Sequence, residues 1–358
     1  MPWNWELPDW PKFHYDPGRI EQLEKRFLLG IGGALAYLKG IEDSEQTRFI
    51  VEILSVEGQK SSLIEGEVLD RGSLQSSIQR HFGLHIPEKR GAEKEAQMAA
   101  LLCDLYRSFD EPLTDEMLWK WHATLFTTDS GHYRTHEDPM QIVSNRYGST
   151  KVFFEAPPSQ RVPQEMGAFI EWFQLSSGPI LTKAAIAHLY FESIHPFEDG
   201  NGRMGRLLSE KLLSQSVGRP VLIPVSQILE KRKKEYYAAL ERCNRTLEVQ
   251  EWVEFFAEVV LQAQKESMRQ LCFFIQKAKL LGALSEALNP RQLKVLLRMF
   301  EEGPDGFRGG LSAEKYIAIT KASRSTATRD LEGLVERGAL IKTGELRYTR
   351  YWLKLSPC

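Results

Sequence analysis

Apolar residues recur every three or four positions through most of the chain, the spacing that gives a helix one buried face. From Ile20 to about Arg80 this pattern predicts helices. Over 93–126 it continues, with Met98, Leu101, Leu102, Leu105 and Tyr106 on one side of a 3.6-residue period. Pro112 followed by Thr114-Asp115-Glu116 marks a helix restart with its cap. Between Met140 and Pro158 the period changes. MQIVSN and KVFFEA flank Arg146-Tyr147-Gly148-Ser149, which predicts a β-hairpin that Pro157-Pro158 ends. Helical text resumes at Val162 and runs, with breaks, to about Ala283.

Asn289-Pro290 reads as a boundary. Beyond it the pattern predicts helices over Arg291–Glu302, Ser312–Ile319 and Arg324–Arg337, then two strand-like runs around Thr343-Gly344. Ser312 and Ser323 stand where N-caps belong and Gly338 where a helix-terminating glycine belongs. Ala327, Leu331, Leu334 and Val335 give the third helix its apolar stripe. This is the element order of a winged helix-turn-helix. At the other end, residues 1–17 are rich in Trp and Pro and are expected to be irregular but packed. Trp3, Trp5 and Trp10 read as anchors onto the helical core, with a sugar or peptide platform as the alternative.

Composition adds little until charge is placed along the chain. The 358 residues, 42% hydrophobic and 26% charged, suit a folded chain of two or three domains and exclude disorder. The net charge is −2, but Arg291–Cys358 holds 13 basic and 8 acidic residues, so +5 sits there and −7 elsewhere. The opening MPWNWELPDWPKF lacks the apolar core of a secretory signal. The uncharged run Phe27–Leu38 has 12 residues and is too short to span a bilayer, so no membrane association is expected. Cys103, Cys243, Cys272 and Cys358 are far apart, without a CxxC pair, and support neither a zinc ribbon nor a disulfide framework. A reduced, cytoplasmic protein is the expectation.

The chemistry concentrates in His195-Pro196-Phe197-Glu198-Asp199-Gly200-Asn201-Gly202-Arg203-Met204-Gly205-Arg206. Gly200, Gly202 and Gly205 fit GxGxxG, yet that fingerprint needs a strand before it. Here Ile186, Leu189, Tyr190, Ser193 and Ile194 predict a helix. The segment is therefore helix, glycine-rich loop, helix. Its glycines let backbone N–H groups form an anion nest, and the following helix adds the positive end of its dipole. Arg203 and Arg206 project from one face of that helix and suit phosphate oxygens. Asp199 is a hard oxygen donor fit for Mg²⁺. His195 titrates near neutrality and can accept a proton. The bland alternative, a capped helix pair with solvated arginines, leaves the convergence of these groups unexplained.

HPFEDGNGRMGR matches HPFx(D/E)GNGRxxR, the motif of the Fic family, at every defined position, and the chain resembles that family over most of its length. The resemblance implies a mainly α fold: a Fic-type helical core with a small β-hairpin flap, plus the C-terminal winged helix-turn-helix. It also implies transfer of AMP from ATP to a protein hydroxyl, with ATP as substrate and Mg²⁺ as cofactor. Carried over by position, His195 is the general base and Asp199 holds Mg²⁺. Gly200, Asn201 and Gly202 cradle phosphate, and Arg203 and Arg206 contact the β- and γ-phosphates. Phe197 is a buried prop for the loop, and Glu198 has no assigned role. Tyr236-Tyr237-Ala238-Ala239-Leu240 and Trp252 resemble helices after the motif, placing Tyr236 and Tyr237 beside the nucleotide. The hairpin at 141–158 lies where the family docks its target protein. The domains implied are 1–99, helical; 100–262, the core; 263–289, a helical linker; and 290–358, the winged helix.

Ser61-Ser62-Leu63-Ile64-Glu65-Gly66 fits the family's inhibitory pattern (S/T)xxxE(G/N), so the resemblance implies that Ser61 and Glu65 mark an inhibitory helix whose Glu65 pairs with Arg206. It leaves open AMP removal, a homodimer, and whether the winged helix takes DNA or a protein. Two alternatives stand beside the transferase: a DNA-binding regulator that senses nucleotide through its Fic core, and a γ-phosphate kinase, against which the complete arginine pair argues. The pairs His81/His85 and His132/His136 lack a third metal ligand. Glu230–Glu235 reads as the solvated face of a helix that turns Tyr236, Tyr237 and Leu240 inward.

Overall fold

The computed structural model describes residues 2–84, 93–126, 131–146, 149–284 and 286–355. It is mainly helical. Two compact units form: residues Met1–Leu35 with Gln46–Ser267, and residues Ala36–Glu45 with Met268–Cys358.

In the first unit, most of α1 (Glu21–Leu38) and α2 (Asp43–Ile64), then α3 (Arg71–His81), α4 (Glu93–Arg107) and α5 (Asp115–Leu125) precede the hairpin. Thr114 caps α5 by accepting from the Met117 N–H, with Asp115 and Glu116 in its first turn, where carboxylates suit the helix dipole. Next come β1 (Gln141–Arg146) and β2 (Ser149–Glu155), antiparallel with a bulge between Ile142 and Val143. The intended turn residues Tyr147 and Gly148 lie outside the described residues. α6 (Val162–Leu175), α7 (Ile180–Ile194), α8 (Asn201–Val217), α9 (Val225–Lys231), α10 (Lys233–Cys243) and the start of α11 (Gln250–Leu284) complete the unit. α7 is buried on nearly every side, which explains its continuous apolar text: Leu181, Ala184, Ala185, Leu189, Phe191 and Ile194 meet one core shared with Phe27, Val51, Leu102 and Trp252. The N-terminal helices and the motif helices thus have no separate cores.

The tryptophans anchor the N-terminal segment as expected. Trp5 Nε1 donates to the Glu155 carbonyl at 2.7 Å, Trp10 Nε1 donates to Glu165 at 2.9 Å, and Trp3 stands edge-on to Phe154. Asn4 Nδ2 reaches Ser193 Oγ at 2.9 Å, tying the segment to the last turn of α7.

The second unit holds α12 (Pro290–Glu301), α13 (Ala313–Thr320), α14 (Arg324–Glu336) and the antiparallel pair β3 (Leu340–Thr343) and β4 (Arg350–Leu353). Asn289 caps α12 in a reciprocal box with Gln292, and Ser312 and Ser323 cap α13 and α14. Ala327, Leu331 and Leu334 are buried against Leu296, Phe300 and Tyr316. Asp330 sits beneath them, accepting from Arg291 Nε at 2.8 Å, Tyr316 Oη at 2.8 Å and Asn289 Nδ2 at 3.1 Å. Burial opposes its charge, but these donors outweigh burial and hold its carboxyl below the usual range.

Among the described residues no helix is long and apolar enough to cross a membrane. Cys103 and Cys243 are buried free thiols, both pushed up to about 12 by burial.

Candidate active site

α7 ends at His195, whose φ of 51° and ψ of 59° put a non-glycine residue in the left-handed region. This conformation is costly and is found where surrounding structure over-determines it. Here Arg134, buried, donates from Nε to the His195 carbonyl at 2.8 Å and from Nη1 to Ser159 Oγ at 2.9 Å, while its own N–H meets the Pro196 carbonyl at 2.9 Å. Nothing in the local sequence marks Arg134 for this task.

The loop that follows is clamped from both ends. Asn201 accepts from the Phe197 N–H at 3.0 Å and donates to the Phe197 carbonyl at 2.8 Å. Its side-chain amide thus ties the loop in both directions, and the N-terminal backbone of α8 begins at the same residue. Phe197 is buried and stacks on His122 at 4.0 Å, and His122 Nε2 lies 3.0 Å from the Asp199 carbonyl. Gly200 is required twice over: its φ is 83°, and a Cβ there would meet the Phe126 ring at 2.6 Å.

Asp199 is exposed, with Oδ1 accepting from the Gly200 N–H at 2.6 Å. One solvent-facing carboxylate beside an anion nest fits Mg²⁺, which leans on one or two carboxylates plus substrate phosphates. Among the described residues no group of three metal-ligating side chains exists.

Arg203 and Arg206 are almost fully buried, and both are held by the end of α2. Arg206 donates from Nε to Ser61 Oγ at 2.9 Å, and from Nη2 to the Ser61 carbonyl at 3.0 Å and Glu65 Oε1 at 2.8 Å. Burial alone would lower the guanidinium pKa, but Glu65, Tyr236 and Glu192 raise it above its ordinary value. The sequence pattern foresaw the Glu65–Arg206 pair. It did not foresee Glu67, whose Oε2 accepts from Arg203 Nη1 at 2.8 Å. Gly66, at φ 84°, lets the chain turn between the two glutamates.

Burial lowers the His195 ring to about 4, with the Glu192 backbone carbonyl opposing, so the imidazole is neutral at pH 7. One turn earlier lies a carboxyl that motif matching passes over. Glu192 Oε2 is 3.8 Å from His195 Nδ1, and burial, reinforced by Glu65, pushes Glu192 up to about 8. A Glu three residues before the motif His was the available signal.

Tyr236 and Tyr237 part company. Tyr236 is buried with its hydroxyl 2.8 Å from His188 Nε2, whereas Tyr237 is 43% exposed, correcting the expectation that both turn inward. Successive helix positions are about 100° apart, so both cannot face one core. Tyr237 lines a groove of about 860 Å³ walled by Val143 and Phe153 of the hairpin, Leu189 and Glu192 of α7, and Lys234 of α10. His136 Nε2 is 3.1 Å from Glu198 Oε2, and His85 lies outside the described residues.

Residues 112–213 match the Fic/DOC family and residues 3–84 match a domain of unknown function, DUF4172. The chain carries a Fic/DOC-family domain. It is 29% identical over 195 residues to protein adenylyltransferase fic-1 of Caenorhabditis elegans, covering 51% of this chain and 35% of that protein. It is 32% identical over 128 residues to protein adenylyltransferase Fic of Nematostella vectensis, covering 34% and 28%. The chain thus spans about a third of the length of these curated relatives. The crystal structure of a Fic family protein from Desulfovibrio desulfuricans G20 superposes with a TM-score of 0.57 at 22% identity, covering 96% of this chain and 98% of that one. Residues 134–508 of Fic-1 from Caenorhabditis elegans superpose with a TM-score of 0.51 at 21% identity, covering 70% and 73%.

Proposed function

We propose that the first unit transfers AMP from ATP to a hydroxyl side chain of a target protein, and that Glu65 restrains it. The observation that carries this is the convergence, on one clamped loop, of a neutral His195, the N-terminal turn of α8, Arg203, Arg206 and the open carboxylate of Asp199. The triphosphate would lie over the start of α8, its β- and γ-phosphates on Arg203 and Arg206 and the backbone N–H groups near Gly200 and Gly202. Neutral His195 takes the proton of the target hydroxyl as its oxygen attacks the α-phosphorus. The bond from that phosphorus to the oxygen bridging to the β-phosphate breaks, and pyrophosphate leaves. Bound at Asp199, Mg²⁺ would supply positive charge against that leaving group. The groove beside the hairpin suits the target segment, since Ile142 and Val143 are exposed on β1 and an extended peptide can pair there. With Glu65 on Arg206, the γ-phosphate contact is occupied and the enzyme rests.

The decisive experiment gives the protein and a lysate ATP labelled at the α or the γ position. Protein-bound α label is expected. Bound γ label would make it a kinase, and the absence of both would leave the nucleotide-sensing regulator. That second reading draws on α14, whose exposed N-terminal turns carry Arg324 and Arg329 in a region of net charge +5, as a winged helix would present to DNA. A gel-shift series with Arg324→Ala and Arg329→Ala tests it, and no shift of duplex DNA at low salt removes it.

A further inference from the structure

Two carboxylates, not one, face the cations of α8. Residues two apart on a helix point in roughly opposite directions, since each step turns about 100°. Gly66 breaks α2 at that point, and the Glu67 N–H returns to the Ser62 carbonyl at 3.0 Å. Glu65 and Glu67 are thereby both delivered to the start of α8, where Arg206 and Arg203 stand three residues apart on one helix face. The Arg203 side chain is 9% exposed and that of Glu67 22%, so the pair is shielded from solvent far better than an ordinary surface ion pair. The Arg203 guanidinium also lies 4.8 Å from the Phe126 ring, which fixes its plane. Glu67 has a second partner in Lys94 at the start of α4.

The two arginines share one deficiency. Arg203 Nε and Arg206 Nη1 are buried donors without a hydrogen-bond partner among the described residues. A buried guanidinium with an unmatched N–H is under-supplied with acceptors. Each carboxylate satisfies only part of its arginine, and phosphate groups, with more oxygens, would complete both.

We infer that Glu67 is a second inhibitory carboxylate, occupying the Arg203 phosphate contact as Glu65 occupies that of Arg206. Full release of the polyphosphate site then requires both to leave, and Lys94 gives the displaced Glu67 somewhere to stay. This rests on the transferase proposal only for the identity of the anion, since the competition itself needs no chemistry.

The test uses the full chain as wild type, Glu65→Gly, Glu67→Gln and the double variant. Calorimetry measures binding of inorganic tripolyphosphate and of AMP, and α-labelled ATP measures transfer. Relative to Glu65→Gly, the double variant should bind tripolyphosphate about tenfold tighter, the scale of one charge-assisted hydrogen bond. AMP, which has no β- or γ-phosphate, should bind equally to both. Identical tripolyphosphate binding by Glu65→Gly and the double variant overturns the second lock. Tighter binding without α-label transfer in any variant keeps the lock and discards the transferase. Glu67→Asp retains the charge with a shorter reach and should fall between wild type and Glu67→Gln. If Glu67→Gln melts early, the Asp variant carries the comparison, and wild-type binding in a folded Asp variant overturns the proposal.

Discussion

The segments Ser61–Glu67 and His195–Arg206 are electrostatic complements with opposite relations to their surroundings. The second, on the proposed function, is a receptor for anions: a left-handed turn, two glycines, a helix N-terminus and two guanidiniums, nearly all buried. The first ends a helix with two carboxylates in half-exposed positions. A buried arginine without a counter-charge is costly, so leaving the pair bare lowers stability. One set of contacts can thus meet two demands. The glutamates supply counter-charge to the buried arginines, and on the proposed function the same contacts would obstruct substrate. Substitutions in the receptor should therefore abolish function, whereas substitutions in the stopper should release it at some cost in stability.

The largest effect is expected at His195. His195→Ala should keep ATP binding and lose about 10²–10⁴ in transfer rate, the usual contribution of a general base. Full transfer by this variant would separate the receptor from the chemistry assigned to it.

Glu65→Gly should raise α-label transfer by about ten- to a hundredfold, the range of a charge-assisted hydrogen bond expressed as a rate. Arg206→Ala should not imitate it, because it deletes the phosphate contact along with the partner of Glu65. Equal transfer by wild type and Glu65→Gly would reduce residues 61–66 to a helix end.

A smaller effect tests the stabilising half of the comparison. Without nucleotide, Glu65→Gly should lower unfolding stability by about 1–3 kcal/mol, since Arg206 keeps Ser61 but loses its carboxylate. Added ATP should restore more stability to the variant than to wild type in thermal melts. A nucleotide-free melting point at or above wild type would show that the stopper only obstructs.

The smallest effect is a pH signature at the receptor floor. His195 titrates near 4 when folded and near 6.5 when unfolded, so its contribution is complete above 6.5 and is lost as pH falls toward 4. Glu192 behaves oppositely. Its folded value is about 8 against 4.5 in the unfolded chain, so the folded state loses stability as pH rises between these values. Glu192→Gln should therefore gain stability relative to wild type between pH 5 and 8. A constant difference across that range would mean that the carboxyl is already charged at pH 5.

The receptor was legible in the sequence because its parts lie within 12 consecutive residues, where helix periodicity and glycine chemistry fix relative placement. Even there the side-chain task of Asn201 was not legible. Whether its amide meets a phosphate or the backbone of Phe197 depends on how tightly the loop closes. The hairpin and the caps at Thr114, Ser312 and Ser323 were legible for the same reason, being satisfied within a few residues.

By itself, the sequence determined the mainly helical plan, the order of elements in the second unit, and the placement of His195, the glycine-rich loop and the two arginines within one segment. These follow from local periodicity and from the chemistry of neighbouring residues. Tertiary structure alone decided that Glu67 meets Arg203, that Arg134 pins the turn at His195, that Glu192 lies beside the base, and that Tyr236 is buried while Tyr237 is open. Each of these depends on which helix packs against which, and on how much water the packing removes. Burial shifts the protonation of His195 and Glu192 in opposite senses, and no spacing along the chain encodes that environment.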